Sequence, residues 1–228
     1  MIHPFTDAYH SMTADEREVY HRTVFLQMNT PMAAALRTNW YRTQLRSMGS
    51  NVHIGCHVKL VNPQWITLGD GVSIEDDCTL IARSPQGIVL GDGATLKHRV
   101  YLDTEGTEGS ILVGKHVYIG TGCCLHGHRG LNIGDNSLLA QCITITPYSH
   151  HFDNPDQRII EQGGHCKPVT IGRDCYLGME VCVLYSGDVG DGSVVGSGSV
   201  VVHPIPPYSV AVGVPARVIR RRGEPRTP

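Results

Sequence analysis

Histidine is the side chain whose number and clustering in this sequence most clearly suggest chemistry. The chain carries 13 histidines among 228 residues. Those that fall close together in its second half are His116, His126, His128, His150, His151 and His165. Three converging imidazoles could hold a metal ion with an open position for water. A single imidazole could instead remove a proton from a substrate near neutral pH.

The elements that carry these histidines follow from a period of six residues. An aliphatic residue recurs at this spacing from Val52 to Ile205, and many are followed four positions later by a small residue. The clearest run is Ile171, Leu177, Val183, Val189, Val195 and Val201. No helix of period 3.6 gives this pattern. Three repeats make one coil of 18 residues, which predicts short parallel strands on three flat faces around an aliphatic core.

One interval of the repeat is much longer than the others. Ile133 and Ile171 are 38 residues apart, which is one coil plus an insertion of 20 residues spanning about 147–167. Insertions in a solenoid leave the core as loops, and binding and catalytic residues often lie on loops. The loop 147–167 is therefore where we expect the chemistry.

Composition limits the classes of function. A formal net charge of −2 and a pI near 6.7 argue against a general attraction to nucleic acid or an anionic membrane. The sequence shows neither a signal-peptide pattern nor a run of about 18 apolar residues, so we expect a cytoplasmic protein without membrane insertion. Eight cysteines include no C-x-x-C pair. Cys78, Cys123 and Cys175 fall on the small inward position, which indicates core residues.

The segment before the repeats reads as helical. Thr13 and Glu16 have the form of a capping box, which predicts a helix running towards Asn29, and Thr30-Pro31 predicts a second helix ending near Gly49. Covering the open first coil is the simpler role for this segment, and a lid over the acceptor pocket is the alternative. We therefore divide the chain into a helical cap (1–50), a β-helix with a catalytic loop at 147–167 (51–205), and a C-terminal tail (206–228).

Three stretches carry a resemblance to a known family: 148–155 (YSHHFDNP), 168–172 (PVTIG) and 205–220 (IPPYSVAVGVPARVIR). Together they resemble the hexapeptide-repeat O-acetyltransferases, the maltose and galactoside acetyltransferase-like group. The resemblance covers about 52–220 and does not extend to the helical N-terminus. It implies a left-handed parallel β-helix, a homotrimer, and transfer of an acetyl group from acetyl-CoA, without a metal, to a hydroxyl of a small acceptor such as a sugar.

The resemblance also implies roles for individual residues. His150 matches the catalytic histidine and would act as general base, with His151 as the next candidate and an acceptor contact. Gly120 and His128 match acceptor-contact positions, although the family's galactoside enzymes carry asparagine at the first and an acidic residue at the second. Asp153 or Glu161 could orient the base. The positions that match the acetyl-CoA site, in a groove between subunits, are Met179, Ser197, Val202, His203, Arg217 and Arg220.

Two other activities stay open at this stage. An N-acetyltransferase acting on an amino-sugar or antibiotic would use the same fold and donor. A zinc enzyme similar to the γ-class carbonic anhydrases is the second alternative, since 124–127 (CLHG) resembles one of that family's ligand segments. The turn 133–136 (IGDN) lacks the further histidine such a site needs.

Overall fold

The computed structural model describes residues 9–20 and 27–225 of the chain. Helix α1 (Ala14–Tyr20) and helix α2 (Pro31–Arg42) precede the strands, and 3-10 turns span Pro63–Trp65 and Ile159–Glu161. The strands are β1 (Ser47–Met48), β2 (His53–Ile54), β3 (Lys59–Val61), β4 (Ile66–Leu68), β5 (Ser73–Ile74), β6 (Thr79–Ile81), β7 (Gly87–Leu90), β8 (Thr95–Leu96), β9 (Tyr101–Asp103), β10 (Ser110–Val113), β11 (Tyr118–Ile119), β12 (Cys124–His126), β13 (Leu131–Ile133), β14 (Leu138–Leu139), β15 (Thr144–Ile145), β16 (Tyr148–His150), β17 (Gly164–Cys166), β18 (Val169–Ile171), β19 (Tyr176–Leu177), β20 (Cys182–Val183), β21 (Val194–Val195), β22 (Val200–Val201), β23 (Ser209–Val212) and β24 (Arg217–Arg221).

These strands stack into three sheets, one for each face of the predicted solenoid. The six-stranded sheet has the order β1-β4-β7-β10-β13-β18, and the nine-stranded sheet has the order β2-β5-β8-β11-β14-β19-β21-β23-β24. The seven-stranded sheet has the order β22-β20-β15-β12-β9-β6-β3. Strands of successive coils pair in parallel, apart from the antiparallel β23–β24 pair. The predicted fold class, a left-handed parallel β-helix of hexapeptide repeats with helices at its N-terminal end, is confirmed.

The six-residue period produces the core. Leu90, Leu96 and Leu102 lie on three different sheets and are all fully buried, and burying such a side chain contributes about 1.5–3 kcal/mol. Cys78 and Cys123 occupy small inward positions as predicted, and burial raises the pKa of each thiol to about 11. Thiols of this kind are packing residues rather than nucleophiles.

The coils meet at three corners, which we name by one residue each. The Gly114 corner joins the six- to the nine-stranded sheet, and the Gly120 corner joins the nine- to the seven-stranded sheet. The His150 corner joins the seven-stranded sheet back to the six-stranded one. Turn residues such as Gly71 (φ 65°) and Asn136 (φ 62°) take the left-handed backbone conformation that a tight corner needs.

The predicted insertion leaves the solenoid at the His150 corner. The Lys167 amide donates to the Pro147 carbonyl at 3.1 Å and closes the base of the insertion. Beyond that bond, β16 and β17 pair antiparallel in a separate two-stranded sheet. We call residues 147–167 the arm.

The N-terminal segment covers the first coil. The capping box forms as predicted, since the Thr13 amide donates to Glu16 Oε2 at 2.8 Å and the Glu16 amide donates to Thr13 Oγ1 at 3.3 Å. In α2, the buried Arg37 donates from Nε to the Ile54 carbonyl at 2.9 Å. The Tyr41 hydroxyl donates to the Val58 carbonyl at 2.8 Å. These bonds occupy backbone oxygens of the first coil that have no preceding coil to pair with.

The boundaries of the repeat differ from those expected. The second predicted helix ends at Arg42 rather than near Gly49, because Ser47–Met48 pairs with β4 as the first strand of the six-stranded sheet. At the other end, β23 pairs with β21 and continues into β24, so strand pairing extends to Arg221, beyond residue 205. The end of the first predicted helix, towards Asn29, runs through residues 21–26, which lie outside the described residues.

Candidate functional site

The arm presents His150 at its base. His150 ends β16 and lies opposite Gly164 of β17, and its side chain is exposed. The next residue, His151, donates its amide to the Gly163 carbonyl at 3.1 Å, and its ring lies 4.8 Å from that of His165. His165 in turn contacts the ring of Tyr185 edge-on at 4.3 Å. His150 and His151 therefore face different neighbours.

A column of rings links His150 to the wall of the solenoid. The Tyr148 ring lies 4.8 Å from the His150 ring at an interplanar angle of 82°, and it stacks on His128 at 4.9 Å and 28°. The His128 ring lies 6.0 Å from His126, which lies 6.0 Å from Tyr101. We call these five residues the ring column. It runs up the His150 corner across successive coils.

An ion pair between the half-exposed Arg83 and the buried Asp103 supports the inner end of the ring column. Asp103 is fully buried and accepts two hydrogen bonds from Arg83, at 2.8 and 2.7 Å. It also accepts the Tyr101 hydroxyl and the Glu105 amide, both at 2.9 Å. Burial alone would raise the pKa of the Asp103 carboxyl, but the hydrogen bonds from Arg83, Glu105 and Tyr101 together hold that pKa below its usual range. Burial and the bond to Asp103 raise the pKa of Tyr101 to about 12.

The sequence interpretation missed this group. Arg83 and Asp103 stand one coil apart, 20 residues in the sequence, at the end of strands that pair in register. An arginine and an aspartate on neighbouring coils at the same corner are the signal that could have identified them.

The two histidines on the coil beneath the arm are poorly hydrated. Burial lowers the pKa of His128, and the nearby Glu105 acts in the opposite direction. The His126 Nδ1 atom is buried, lacks a hydrogen-bond partner among the described residues, and lies 3.6 Å from Glu105 Oε1. These groups form a polar surface beside the arm.

Neither of the two acidic residues suggested as partners of His150 forms a hydrogen bond or ion pair with its ring in the described residues. Glu161 forms an ion pair with Arg158 within the arm. Asp153 is exposed, and no hydrogen bond joins it to His150 in the part of the chain that the structure describes.

Gly120 is buried, and a side chain there would lie 2.5 Å from the Ala140 carbonyl oxygen of the next coil. This close approach of two backbones accounts for the glycine.

Part of the predicted donor site lies at the Gly120 corner. Met179 and Ser197 are both exposed and lie on successive coils, and the Gly198 amide donates to the Met179 carbonyl at 2.8 Å. A Cβ at Gly178 would lie 2.6 Å from both the amide nitrogen and Oγ of Ser197. The glycine therefore allows the coils to pack closely and leaves a narrow column of backbone groups.

The remaining donor positions are divided between two corners. Arg217 pairs with Val212, which lies one coil beyond Gly196, so Arg217 belongs with the Gly120 corner. The guanidinium groups of Arg217 and Arg220 donate to backbone carbonyls and have no carboxylate partner among the described residues. Val202 and His203 follow β22 and lie at the His150 corner instead.

The structure therefore does not bring all of the predicted site residues together within one chain. The seven-stranded sheet separates the Gly120 corner from the His150 corner. Its strands have two or three residues, and with the residues that flank each strand the face runs for about five residues between corners, roughly 16 Å at 3.3 Å per residue. The ring column keeps His150 at its own corner.

Comparison with known proteins agrees with the repeat. The family profile described as "Hexapeptide repeat of succinyl-transferase" matches residues 66–103 and 168–202. The chain thus carries the hexapeptide repeat over these residues. It is similar to acetyltransferases that include the galactoside enzyme, as the resemblance predicted.

Two relatives show the extent of this similarity. A probable acetyltransferase of Mycobacterium tuberculosis is 38% identical over 115 residues, which is 50% of this chain and 38% of that protein. The galactoside O-acetyltransferase of Escherichia coli is 34% identical over 113 residues, which is 49% of this chain and 54% of that protein. The hexapeptide-repeat chain thus spans about half or less of the length of these curated relatives.

A solved structure shares the fold. AntD, an N-acyltransferase from Bacillus cereus in complex with dTDP and 3-hydroxybutyryl-CoA, has a TM-score of 0.57 and 21% identity to this hexapeptide-repeat protein. The likeness covers 82% of this chain and 88% of that one. Within residues 9–20 and 27–225, no group of three or more histidine, cysteine, aspartate or glutamate side chains is arranged to hold a metal ion. None of the described helices is long and apolar enough to cross a bilayer.

Proposed function

We propose that this protein is an acetyl-CoA-dependent O-acetyltransferase, with His150 as general base and a sugar or saccharide as the acceptor. The observation that carries the proposal is the exposed imidazole of His150 on an arm that leaves a hexapeptide-repeat solenoid at one corner. The similarity to a galactoside O-acetyltransferase supports the acyl-transfer chemistry. The complex of AntD with 3-hydroxybutyryl-CoA supports a coenzyme A thioester as the donor.

The reaction would proceed by direct transfer. His150 removes the proton of the acceptor hydroxyl as its oxygen attacks the thioester carbonyl carbon of acetyl-CoA. The tetrahedral intermediate collapses, the carbon–sulfur bond breaks, and the imidazolium returns the proton to the departing thiolate. The products are an acetyl ester and free coenzyme A. His151, the next residue along the chain, would contact the acceptor beside the base.

The donor would lie along the Gly120 corner. Met179 and Ser197 line this corner, and the close packing at Gly178 leaves backbone groups that an extended pantetheine arm can approach. Arg217 and Arg220, which lack carboxylate partners among the described residues, suit the phosphates of the nucleotide end. Val202 and His203 would contact the donor from the His150 corner.

The separation of the two corners supports a homotrimer. A general base must come within about 2.6–3.2 Å of the proton that it removes, and His150 lies one sheet away from the Gly120 corner of its own chain. A closed ring in which the His150 corner of one subunit meets the Gly120 corner of the next would complete the site. Cyclic assembly of three identical prisms provides such a heterologous contact three times.

This arrangement assigns the faces of the trimer. If the His150 and Gly120 corners both point outwards, the Gly114 corner points to the threefold axis and the seven-stranded sheet faces solvent. Exposed apolar side chains fit this orientation: Leu112 on the six-stranded sheet, and Tyr118, Leu138 and Tyr176 on the nine-stranded sheet. All four lie close to the Gly114 corner. None of the exposed large apolar residues of the described chain lies on the seven-stranded sheet.

An N-acetyltransferase acting on an amino-sugar or antibiotic is the second candidate. AntD is an N-acyltransferase whose complexes include dTDP-4-amino-4,6-dideoxyglucose, which favours an amino-sugar within this alternative. A neutral amine is already a good nucleophile, so an N-acetyltransferase depends less on removal of a proton before attack than an O-acetyltransferase does.

The test is an acceptor screen with the whole chain. Acetyl-CoA is incubated with sugars, amino-sugars, nucleotide sugars and amino acids, and free thiol is measured while mass spectrometry identifies the product. Alkaline hydroxylamine then cleaves an ester but leaves an amide, which separates O- from N-acetylation. The His150→Ala variant is the blank. Thiol release that equals this blank for every acceptor would contradict the proposed function.

A further inference from the structure

We infer that Tyr148 is a positioning residue that fixes the ring of His150, and that the ring of His128 holds Tyr148 in place. The inference rests on the proposed role of His150. An imidazole on an exposed strand can occupy several staggered rotamers, and most of these would carry its nitrogens out of reach of a bound acceptor. Something near His150 must select one of them.

Tyr148 is the group placed to do so. It meets His150 with its ring at 82° and 4.8 Å, and it meets His128 almost face to face, at 28° and 4.9 Å. Contacts of both kinds lie within the range preferred by aromatic pairs. No hydrogen bond or ion pair of the His150 side chain is found among the described residues, so the Tyr148 ring is its most specific contact in that part of the chain.

The hairpin is built to admit the Tyr148 ring. Gly164 lies opposite His150 in the strand register, and a Cβ on Gly164 would lie 2.2 Å from the Tyr148 hydroxyl, 2.4 Å from its ring carbon Cζ and 2.5 Å from the Ser149 carbonyl oxygen. A larger residue at this position would therefore displace the tyrosine ring. Glycine at this position therefore serves both the packing of the Tyr148 ring and the close approach of the two hairpin strands.

His128 supplies the fixed end of this arrangement. It lies at the corner of the preceding coil, half-buried, beside the group of Arg83, Asp103 and Tyr101. One face of its ring is covered by Tyr148, so its shape as a flat ring matters for the stack. A direct contact between a His128 N–H and the acceptor would instead depend on its nitrogens. The His128→Phe variant keeps a flat ring but removes the ring nitrogens, so it distinguishes these two roles.

The experiment measures kcat and KM for both substrates in the full-length chain. Tyr148→Leu and Gly164→Ala should lower kcat by roughly 10- to 100-fold, the cost of misplacing a catalytic group, with KM for both substrates within about twofold. Tyr148→Phe and His128→Phe keep the rings and should stay within about threefold of the wild type, whereas His128→Ala should behave like Tyr148→Leu. Asp156→Ala, on the exposed part of the arm, is the matched control and should leave kcat unchanged.

A second readout does not depend on turnover. The proton NMR signals of His150, assigned by their loss in His150→Ala, should carry a ring-current shift from Tyr148 that disappears in Tyr148→Leu and in Gly164→Ala. Loss of that shift without loss of kcat would overturn the positioning role. A His128→Phe variant as impaired as His128→Ala, with a raised acceptor KM, would make His128 an acceptor contact instead. Full turnover in His150→Ala would refute the proposed base, whatever the NMR shows.

Discussion

Replacing Asp103 with alanine should destabilise the protein strongly. The buried carboxylate accepts two hydrogen bonds from Arg83, one from Tyr101 and one from the Glu105 amide. Leaving a buried donor without its acceptor typically costs about 1–3 kcal/mol, and the Tyr101 hydroxyl and the Glu105 amide would both lose their acceptor. The Arg83 side chain is 48% exposed, so water can hydrate it in the variant. We therefore expect a loss of about 3 kcal/mol, mainly from the two donors left unsatisfied.

Thermal unfolding followed by circular dichroism at pH 7 measures this loss. About 3 kcal/mol corresponds to a decrease in Tm of roughly 6–12 °C for a chain of this length. Asp77→Asn is the matched control, because Asp77 pairs with His57 at 3.0 Å with both side chains about half exposed. An exposed pair contributes about 0–1 kcal/mol. Equal melting temperatures for the two variants would refute the role given to Asp103.

The difference in Tm between the wild type and Asp103→Ala should also depend on pH. The pKa of Asp103 is lowered in the folded protein from an unfolded value near 3.8. Its ionised form therefore stabilises the fold at pH values above the unfolded pKa, and the contribution is lost as the pH falls through the folded pKa. The difference in Tm between wild type and Asp103→Ala should stay constant from about pH 7 to 5 and shrink below about pH 4. A difference that already shrinks between pH 7 and 5 would contradict this assignment.

Three further predictions concern the cap, the donor and the assembly. Tyr41→Phe removes the hydrogen bond to the Val58 carbonyl and should cost about 1 kcal/mol, seen as a decrease in Tm of roughly 2–4 °C; an unchanged Tm would contradict it. Arg217→Ala should raise the apparent KM for acetyl-CoA about tenfold or more while kcat falls less, and the effect should be smaller with acetyl-pantetheine; equal losses with both donors would give Arg217 a structural role. Leu138→Asp should dissociate the proposed trimer in light scattering and abolish turnover, whereas Thr144→Asp on the seven-stranded sheet should not; an active wild-type monomer would refute the proposed assembly.

The sequence predicts the solenoid well because one local rule governs it. Residues six apart must each bury an aliphatic side chain, and Leu90, Leu96 and Leu102 do so on three successive faces. An insertion that breaks this period can go only outwards, so the arm could also be located from spacing alone. His150 was found through its resemblance to a family motif, since nothing in the period marks one exposed histidine above another.

The contacts around the candidate site depend on which coils lie side by side, and local patterns show this poorly. Ser47–Met48 continues an apparently helical segment but pairs with β4, because the first coil needs a strand there. Arg83 and Asp103 look like surface charges until register places them together. The ring column likewise joins residues from two different coils and the arm.

The catalytic role of His150 is tested most directly by comparing two neighbouring histidines. His150→Ala and His151→Ala are assayed for acetyl-CoA-dependent turnover, with calorimetry to check that each variant still binds coenzyme A. We expect His150→Ala to lower kcat by about two orders of magnitude or more, and His151→Ala to have a smaller effect because its ring faces His165 instead. Near-normal turnover in His150→Ala, with donor binding intact, would contradict the proposed mechanism.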